Sequence, residues 1–191
     1  MFRASITGQF LKNPLTTGAI CASSPKLAKT MVSGINISEA DVIVELGPGT
    51  GAITGSIRKA IRPDALFFAV ELNETVITVF KERFPREKIY HDSASNLPNL
   101  LKLEHVQQAN IILSGLPWAS FPATLQDEIL EAVTSVMPKN AVFATFAYLQ
   151  GTLLPTGVRF KKRLHKYFSR VEKSPIVWRN IPPAFVYRCW K

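Results

Sequence analysis

Residues 45–51 read Glu45-Leu46-Gly47-Pro48-Gly49-Thr50-Gly51 and follow the apolar run Val42-Ile43-Val44. The run has the composition of a buried parallel strand, which is apolar on both faces. Glycines after such a strand allow a tight turn and let a ligand approach the backbone closely. Isoleucine and alanine then recur at helical spacing, at positions 53, 57, 60 and 61. The sequence therefore predicts a strand, a ligand-binding turn and a helix, as in the first unit of a Rossmann-like sheet.

Apolar runs and helical patterns alternate from Asp41 to about Leu149, which is typical of a parallel sheet with crossover helices. We expect five parallel strands, at Val42–Leu46, Leu66–Val70, Ile89–Tyr90, Asn110–Leu113 and Val142–Phe146. Core-facing helical stripes are predicted at Val76, Val79, Phe80 and Phe84, and at Ile129, Leu130, Val133 and Val136. Two extended segments, about Arg170–Trp178 and Ala184–Trp190, predict a closing antiparallel hairpin. The predicted fold is α/β and Rossmann-like, with a mostly parallel seven-stranded sheet.

The composition fits one globular domain, with 191 residues of which 47% are hydrophobic and 19% charged. Its apolar stretches are shorter than the roughly 18 to 20 residues that a membrane-spanning helix needs. The two cysteines form no disulfide framework, so a reducing cytoplasm is the expected location. Lys and Arg outnumber Asp and Glu by 23 to 14, and the net charge of +9 favours an anionic partner, either nucleic acid or an anionic membrane surface.

A leader of about forty residues precedes the first strand. Ser24 followed by Pro25 predicts a helix start there, because serine caps helices well and proline suits the first helical position. We expect residues 1–40 to form a helical leader that covers the substrate and packs over the ligand-binding edge of the sheet. Residues 41–191 are expected to form the catalytic part of the same compact domain.

Acidic side chains end the first three predicted strands. Glu71 lies about twenty positions after the glycines, where a carboxylate binds ribose hydroxyls in nucleoside sites. Asp92 and Ser93 follow the third strand, where an acid can accept the adenine amino group; the alternative for Asp92 is a helix N-cap. The predicted cofactor-binding residues are Glu45, Gly47, Gly49, Gly51, Glu71, Asp92, Ser93 and Ser114.

Two kinds of cofactor fit this arrangement. Gly47, Gly49 and Ala52 also satisfy the dinucleotide pattern, so an NAD-type dehydrogenase is the first alternative. Glu45 lies two residues before the first glycine, where its charge would repel a pyrophosphate and attract an amino group. The sequence therefore favours S-adenosylmethionine, with S-adenosylhomocysteine as the product. No metal is expected, because the histidines and cysteines lie at no ligand-like spacing.

The sequence resembles the bacterial phospholipid N-methyltransferases, which are class I S-adenosylmethionine-dependent enzymes. The resemblance rests on Glu45–Gly51, Ser114–Pro117, the terminal segment Trp178–Arg188, and the leader segments Leu11–Ile20 and Ser23–Pro25. It implies a monomeric enzyme that methylates phosphatidylethanolamine at the membrane surface. Members of that family more often carry an aliphatic residue where this chain has Trp118, so an ornithine-type or other aminolipid, or a soluble amine, remains an alternative substrate.

The related ribosomal RNA adenine dimethyltransferases share the glycine turn, and Gln9-Phe10-Leu11 resembles their leader motif. Their Asn-Leu-Pro-Tyr turn contrasts with Ser114-Gly115-Leu116-Pro117-Trp118 here. An adenine amine needs an amide-type acceptor, which asparagine supplies and this Ser-Gly pair does not. An RNA adenine N6-methyltransferase is therefore the second hypothesis, and a non-catalytic protein that binds S-adenosylmethionine or a nucleotide is the third.

Aromatic side chains near the strand ends are candidates for the substrate site, because ring faces hold methylated ammonium groups. Trp118 and Phe121 follow the fourth strand, and Tyr148 follows the fifth. The alternative for Trp118 and Phe121 is that they only cap the core. The catalytic candidates are Tyr148, Trp118 and Ser114, and the substrate-binding candidates are Trp118, Phe121, Tyr148, Arg179 and Asn180.

The segment Arg159–Arg170 carries the strongest run of positive charge. Phe160, Leu164 and Phe168 recur every four residues with cations between them, which predicts a basic amphipathic helix. Such a helix favours peripheral docking on an anionic membrane. The alternative is a solvated helix that covers the sheet.

Overall fold

The computed structural model describes residues 24–191. The predictions for the leader segment Leu11–Ile20 and for Gln9-Phe10-Leu11 lie outside the described residues. Within residues 24–191, no helix is both long enough and apolar enough to span a bilayer.

One seven-stranded sheet forms the centre of the molecule, in the order β3-β2-β1-β4-β5-β7-β6. Its strands are β1 (Val42–Leu46), β2 (Leu66–Glu71), β3 (Lys88–His91), β4 (Ile111–Ser114), β5 (Val142–Tyr148), β6 (Arg170–Lys173) and β7 (Ala184–Trp190). The first five strands pair in parallel. β7 lies between β5 and β6 and is antiparallel to both. The mostly parallel sheet and its terminal hairpin confirm the prediction.

Among residues 24–191, six α-helices cover the two faces of the sheet. They are α1 (Pro25–Val32), α2 (Thr54–Ala60), α3 (Glu74–Arg83), α4 (Leu97–Leu103), α5 (Ala123–Ser135) and α6 (Pro155–Tyr167). Helices α1 and α2 bury one face in a cluster that includes Ile43, Ile57 and Val186. Helices α4, α5 and α6 bury the other face in a second cluster, which includes Phe143. Because β1 to β5 pair in parallel, their carboxyl ends all lie at the same edge of the sheet.

Helix α1 begins where the sequence predicts. The Ser24 hydroxyl accepts a hydrogen bond from the backbone N–H of Leu27 at 3.2 Å, and Pro25 occupies the first turn. Leu27 and Met31 are fully buried against the sheet, so this part of the predicted leader covers one of its faces. Substrate cover by residues 1–40 stays a prediction.

Two predictions about helix faces need correction. Val79 is 37% exposed, because α3 turns Phe80, one residue further along, toward the sheet. The apolar face of the basic segment is also unavailable to a membrane, since Phe160, Leu164 and Phe168 are all buried in the core. Arg163 is not a free cation either, because its guanidinium forms an ion pair with Asp127 on α5 at 2.7 Å. Helix α6 is thus a cover over the sheet, with its cations on the outer side.

Candidate active site

The glycine turn after β1 is shaped by three glycines with positive φ, namely Gly47, Gly49 and Gly51 at +82°. Gly47 has φ +65° and donates its N–H to the carbonyl of Val70 at 2.8 Å, which ties the turn to β2. Its positive φ disfavours any side chain, and a Cβ on Gly47 would also lie 2.6 Å from Leu116 Cδ2, so glycine suits this position best. Gly49 has φ +56° with open space where a Cβ would be. The turn therefore presents bare backbone to a ligand at the carboxyl ends of β1 and β4.

Glu45 is a fully buried carboxylate directly behind this turn. Its Oε2 accepts a hydrogen bond from the Thr54 hydroxyl at 2.6 Å, where α2 begins. Its Oε1 has no hydrogen-bond partner among the described residues. Burial raises the pKa of Glu45 to about 8, although the Thr54 hydroxyl opposes that shift. An unpaired buried oxygen of this kind is costly, and a cationic group placed against it offsets the cost.

Glu71 and Asp92 face a narrow groove beside the glycine turn, lined by Gly47, Val70, Glu71, Leu72, Asp92, Ser93, Ala94, Leu116, Phe121 and Ile129. Glu71 Oε1 accepts the backbone N–H groups of Leu72 at 2.9 Å and Asn73 at 3.0 Å. Burial raises the Glu71 pKa, and backbone N–H donors oppose this. The groove thus holds a carboxylate at the end of β2 and another at the end of β3.

Asp92 is not the cap of the short helix that follows it. Its Oδ2 accepts a hydrogen bond from the Asn96 amide at 2.7 Å, and its Oδ1 accepts the N–H of Ser93 at 2.6 Å. The capping residue is Ser93, whose hydroxyl accepts the N–H of Ser95. These contacts fix the Asp92 carboxylate at the groove wall.

A wall formed by residues 115–121 separates the groove from a second cavity. Leu116 lines both cavities. Gly115 donates its N–H to the Leu46 carbonyl at 2.8 Å, and a Cβ on Gly115 would lie 2.4 Å from the Gly47 carbonyl oxygen. The two glycine turns are therefore in direct contact, and only glycine fits at position 115 in this backbone.

The second cavity, called here the aromatic pocket, has a volume of about 230 Å³. Its lining residues are Gly115, Leu116, Pro117, Trp118, Ala119, Ser120, Phe146, Ala147, Tyr148, Gly151, Thr152, Gly157, Phe160 and Tyr187. Trp118 stacks on Phe160 with ring centroids 5.1 Å apart. Burial raises the pKa of Tyr187 to about 12, so its hydroxyl stays protonated. The pocket offers ring faces and neutral hydroxyls to a ligand.

Ser114 orients the Trp118 ring and does not line either cavity. The Trp118 indole N–H donates to the Ser114 hydroxyl at 3.0 Å, and both residues are buried. The Ser114 carbonyl accepts the Thr145 hydroxyl at 3.1 Å, which ties the turn to β5. Trp118 is consequently both part of the core, as in the alternative interpretation, and part of the pocket wall.

The other predicted substrate residues fall in different places. Tyr148 lines the aromatic pocket, whereas Phe121 lines the groove. Arg179 is exposed, and neither it nor Asn180 lines either cavity. Asn180 is 2% exposed; its Oδ1 accepts the Ser24 N–H at 2.9 Å, and its amide donates to the Pro182 carbonyl at 2.7 Å. Its side chain anchors the start of α1 to the loop before β7.

No family model matches the sequence. The ornithine lipid N-methyltransferase of Singulisphaera acidiphila is 31% identical over 186 residues, covering 95% of this chain and 92% of that protein. The chain belongs to the ornithine lipid N-methyltransferase family.

More distant relatives share only part of the chain. The ribosomal RNA small subunit methyltransferase A of Thermotoga petrophila is 26% identical over 114 residues, which span 60% of this chain and 41% of that protein. Among solved structures, the O-methyltransferase TomG of Streptomyces achromogenes, determined with S-adenosylmethionine, gives a TM-score of 0.65 at 16% identity, covering 87% of this chain and 79% of that one. That likeness confirms the Rossmann-like methyltransferase fold.

The sequence analysis of this family member identified Trp118 and Tyr148 but missed three of the five aromatic residues that line the pocket. Phe146, Phe160 and Tyr187 come from β5, α6 and β7, which are far apart in the chain. The apolar spacing of Phe160 signalled burial but not the cavity beside it. The glycine at position 157, near the start of α6, was a signal in the sequence that the backbone packs closely here. In the structure, a Cβ at Gly157 would lie 2.2 Å from the Gly151 carbonyl oxygen. Within residues 24–191, no group of three or more His, Cys, Asp or Glu side chains is placed to hold a metal ion.

Proposed function

We propose that this protein transfers a methyl group from S-adenosylmethionine to the amine of an aminolipid at the surface of an anionic membrane. One combined observation carries the proposal. A relative matched over nearly its whole length is a lipid N-methyltransferase, and in this chain a ring-lined pocket and a nucleoside-type groove share the lining residue Leu116.

The residues around the glycine turn fit S-adenosylmethionine, which supplies an electrophilic methyl group on a sulfonium. The unpaired Oε1 of Glu45 suits the cofactor's amino group, because a buried carboxylate gains most from a cation. Glu71, Asp92 and Ser93 line the groove, where the Glu71 carboxylate suits ribose hydroxyls and the Asp92 carboxylate suits the adenine amino group. Gly49 leaves room for the ligand to contact the backbone.

The aromatic pocket suits an amine that is methylated repeatedly. The faces of Trp118, Phe160 and Tyr148 attract alkylated ammonium groups as the charge becomes more dispersed. Holding the nitrogen in line with the methyl group contributes up to roughly 7 to 11 kcal/mol of the barrier reduction. The wall residue Leu116, shared by both cavities, marks where the two reactants meet.

The amine must lose its proton before it attacks. A free amine with a pKa of about 10.4, like that of lysine, costs about 4 to 5 kcal/mol to neutralise at pH 7. Apolar walls lower that pKa by removing water from the ammonium form. Tyr148 and Tyr187 both line the pocket, and we propose the Tyr148 hydroxyl as the acceptor for the amine N–H. Ser114 contributes by fixing Trp118 rather than by touching the substrate.

Among aminolipids, we propose a headgroup of the ornithine type, with phosphatidylethanolamine as the alternative. The support is the near-full-length relative, named for ornithine lipid, and the presence of Trp118 at the pocket wall. A primary amine on a short carbon chain enters a cavity of about 230 Å³ lined by rings and small residues.

The membrane surface and the cellular location are further parts of the proposal. The net charge of +9 draws the protein to anionic lipids, at about 1 kcal/mol per cation close to the surface. We place the enzyme in the cytoplasm, attached peripherally to the inner leaflet.

Methylation of RNA adenine is the second candidate, because the partial relatives include ribosomal RNA methyltransferases. Gly115 argues against it. The RNA enzymes that the sequence resembles have asparagine in this turn, and any Cβ at position 115 would collide with the Gly47 carbonyl oxygen at 2.4 Å. An amide acceptor for adenine therefore has no place here without a shift of both turns.

Parallel transfer of radiolabelled methyl groups tests the proposal. The substrates are vesicles with ornithine lipid, vesicles with phosphatidylethanolamine, small soluble amines and protein-free ribosomal RNA. We expect label in ornithine lipid and none in RNA. Label in RNA alone would establish the second candidate, and tight cofactor binding without label in any substrate would indicate a non-catalytic binding protein. A Glu71→Ala variant is the background control, since it removes the predicted ribose contact.

A further inference from the structure

Exposed apolar side chains gather around the mouth of the aromatic pocket. Among residues 24–191, the large apolar side chains that are exposed are Val79, Leu103, Leu153, Leu154, Val158, Trp178 and Ile181. Five of them belong to two segments, 153–158 and 178–181. Leu153 is 86% exposed and Ile181 is 81% exposed, which is unusual for such residues in a water-soluble surface.

The first segment is continuous with the wall of the pocket. Gly151 and Thr152 line the cavity and lead directly into Leu153 and Leu154, and Gly157 lines it just before Val158. The short helix Leu149–Leu153 and the first turn of α6 thus turn one side inward to the pocket and the leucines outward.

The second segment leaves the sheet at the same edge. Ala184, the first residue of β7, pairs with Tyr148, the last residue of β5, and it also bridges to Val177. The Pro183 carbonyl accepts the N–H of Leu149 at 2.8 Å, so the loop 178–183 ends beside the segment that carries the leucines. Both segments therefore project from the edge at which the parallel strands end and the two cavities open.

We propose that Leu153, Leu154, Val158, Trp178 and Ile181 form a docking surface that inserts into the lipid bilayer around the pocket mouth. The inference rests on the proposed function, because a lipid amine reaches the aromatic pocket only if the mouth meets the membrane. Exposed Arg159 and Arg179 are next in sequence to Val158 and Trp178, which gives the apolar surface a cationic rim that complements anionic headgroups. A tryptophan beside an arginine is also typical of the interfacial layer of a bilayer.

This surface replaces the Phe160, Leu164 and Phe168 stripe as the apolar part of the membrane contact. Those three side chains are buried in the core, so beyond Val158 helix α6 presents outer cations such as Lys161 and Lys162. The cations provide attraction that salt weakens, whereas the inserted leucines and tryptophan provide binding that persists in salt.

Flotation with vesicles that contain no aminolipid tests the docking surface independently of catalysis. Phosphatidylglycerol–phosphatidylcholine vesicles are mixed with the wild type and with the double variant Leu153→Ser/Leu154→Ser, at low and high salt. We expect the double variant to lose at least about tenfold in vesicle partitioning, with the larger proportional loss at high salt. The matched control is Leu103→Ser, because Leu103 is 64% exposed at the far end of α4, which runs back from the site edge. Equal partitioning of the wild type and the double variant, or an equal loss in the control, overturns the proposal.

A second measurement locates the inserted side chain. Trp178 is 67% exposed, whereas Trp118 is 3% exposed, so nitroxide-labelled acyl chains should quench mainly Trp178 fluorescence. A Trp178→Phe variant that is quenched as much as the wild type contradicts insertion. A dimer that the serine substitutions dissociate, with unchanged vesicle binding, assigns the surface to a second copy of the chain and also overturns the proposal. Vesicle binding without transfer to any aminolipid would instead refute the proposed function and leave the docking surface standing.

Discussion

The substitution Glu45→Gln tests whether the buried carboxylate behind the glycine turn is held ready for a cation. Glu45 is completely buried, its Oε1 is unpaired, and burial raises its pKa from 4.5 to about 8. In the folded protein without cofactor, this group therefore binds a proton more tightly than in the unfolded chain. The stability it contributes is complete below about pH 4.5 and is lost as the pH rises through about 8.

The size of the effect follows from that shift. At about 1.4 kcal/mol per pKa unit, the free energy of unfolding of the wild type should fall by roughly 3 kcal/mol between about pH 5 and 7.5 through Glu45 alone. Glutamine has the same shape and does not titrate, so Glu45→Gln should lack this part of the pH dependence. The wild type should therefore lose melting temperature between about pH 5 and 7.5, while the variant does not lose this part. For a chain of this size, the difference between the two melting temperatures should change by roughly 6 to 12 °C in favour of the variant.

Cofactor affinity should rise with pH, whereas the stability of the free protein falls. An ammonium group against Oε1 lowers the Glu45 pKa, so binding releases a proton and the affinity of the wild type for S-adenosylhomocysteine should rise with pH. The dependence should level off as the pH approaches about 8, where Glu45 is ionised even without the ligand. The glutamine variant should bind more weakly and with little pH dependence.

Thermal melting and isothermal titration calorimetry, both measured across this pH range, provide the two readouts. Parallel melting curves for the wild type and the variant would refute the raised pKa. Equal, pH-independent affinities would refute contact between Glu45 and the amino group.

Three further perturbations test other parts of the site. Glu71→Ala should weaken cofactor binding by about 1.5 to 3 kcal/mol, as for a charge-assisted hydrogen-bonding group, and unchanged calorimetric affinity would remove Glu71 from the site. Gly115→Ala should lower the free energy of unfolding in urea by about 1 to 3 kcal/mol, because the new Cβ would lie 2.4 Å from the Gly47 carbonyl oxygen; an unaffected urea midpoint would mean that the turns move apart freely. Ser114→Ala leaves the Trp118 indole N–H without its acceptor and should raise KM for the amine substrate more than KM for the cofactor; equal increases would give Ser114 only a general structural role.

The parts of the fold that the sequence predicts best are those specified by local chemistry. The turn at Gly47 and Gly49 needs left-handed backbone, and the start of α1 at Ser24 needs a cap, so both requirements are visible in the residues themselves. The same is true of acidic residues placed at strand ends, such as Glu71. Local pattern suffices in these cases because the requirement lies in the residue's own backbone conformation, as at Gly47, or in a bond to a near neighbour, as at Ser24 and Glu71.

The aromatic pocket and the role of α6 depended on contacts between distant segments. Tyr187 reaches the pocket only because β7 enters the sheet between β5 and β6, a pairing that no local pattern specifies. Similarly, the ion pair of Arg163 with Asp127 joins residues 36 positions apart and removes one cation from the predicted membrane face. An amphipathic pattern shows that a helix has an apolar side but not whether protein or lipid covers it.

Because the two glycine turns are in direct contact, a single substitution at position 115 should not change the substrate from a lipid amine to an RNA adenine. Asparagine at position 115 would bring the amide acceptor that adenine requires, but its Cβ alone would overlap the Gly47 carbonyl oxygen. Separating the turns would move Gly47 away from Val70, to which it donates at 2.8 Å, and would disturb the cofactor groove itself. Gly115→Asn should therefore lose methyl transfer to lipid without gaining transfer to ribosomal RNA. Labelled RNA from this single variant would show that the turn alone selects the substrate, and that the rest of the aromatic pocket does not.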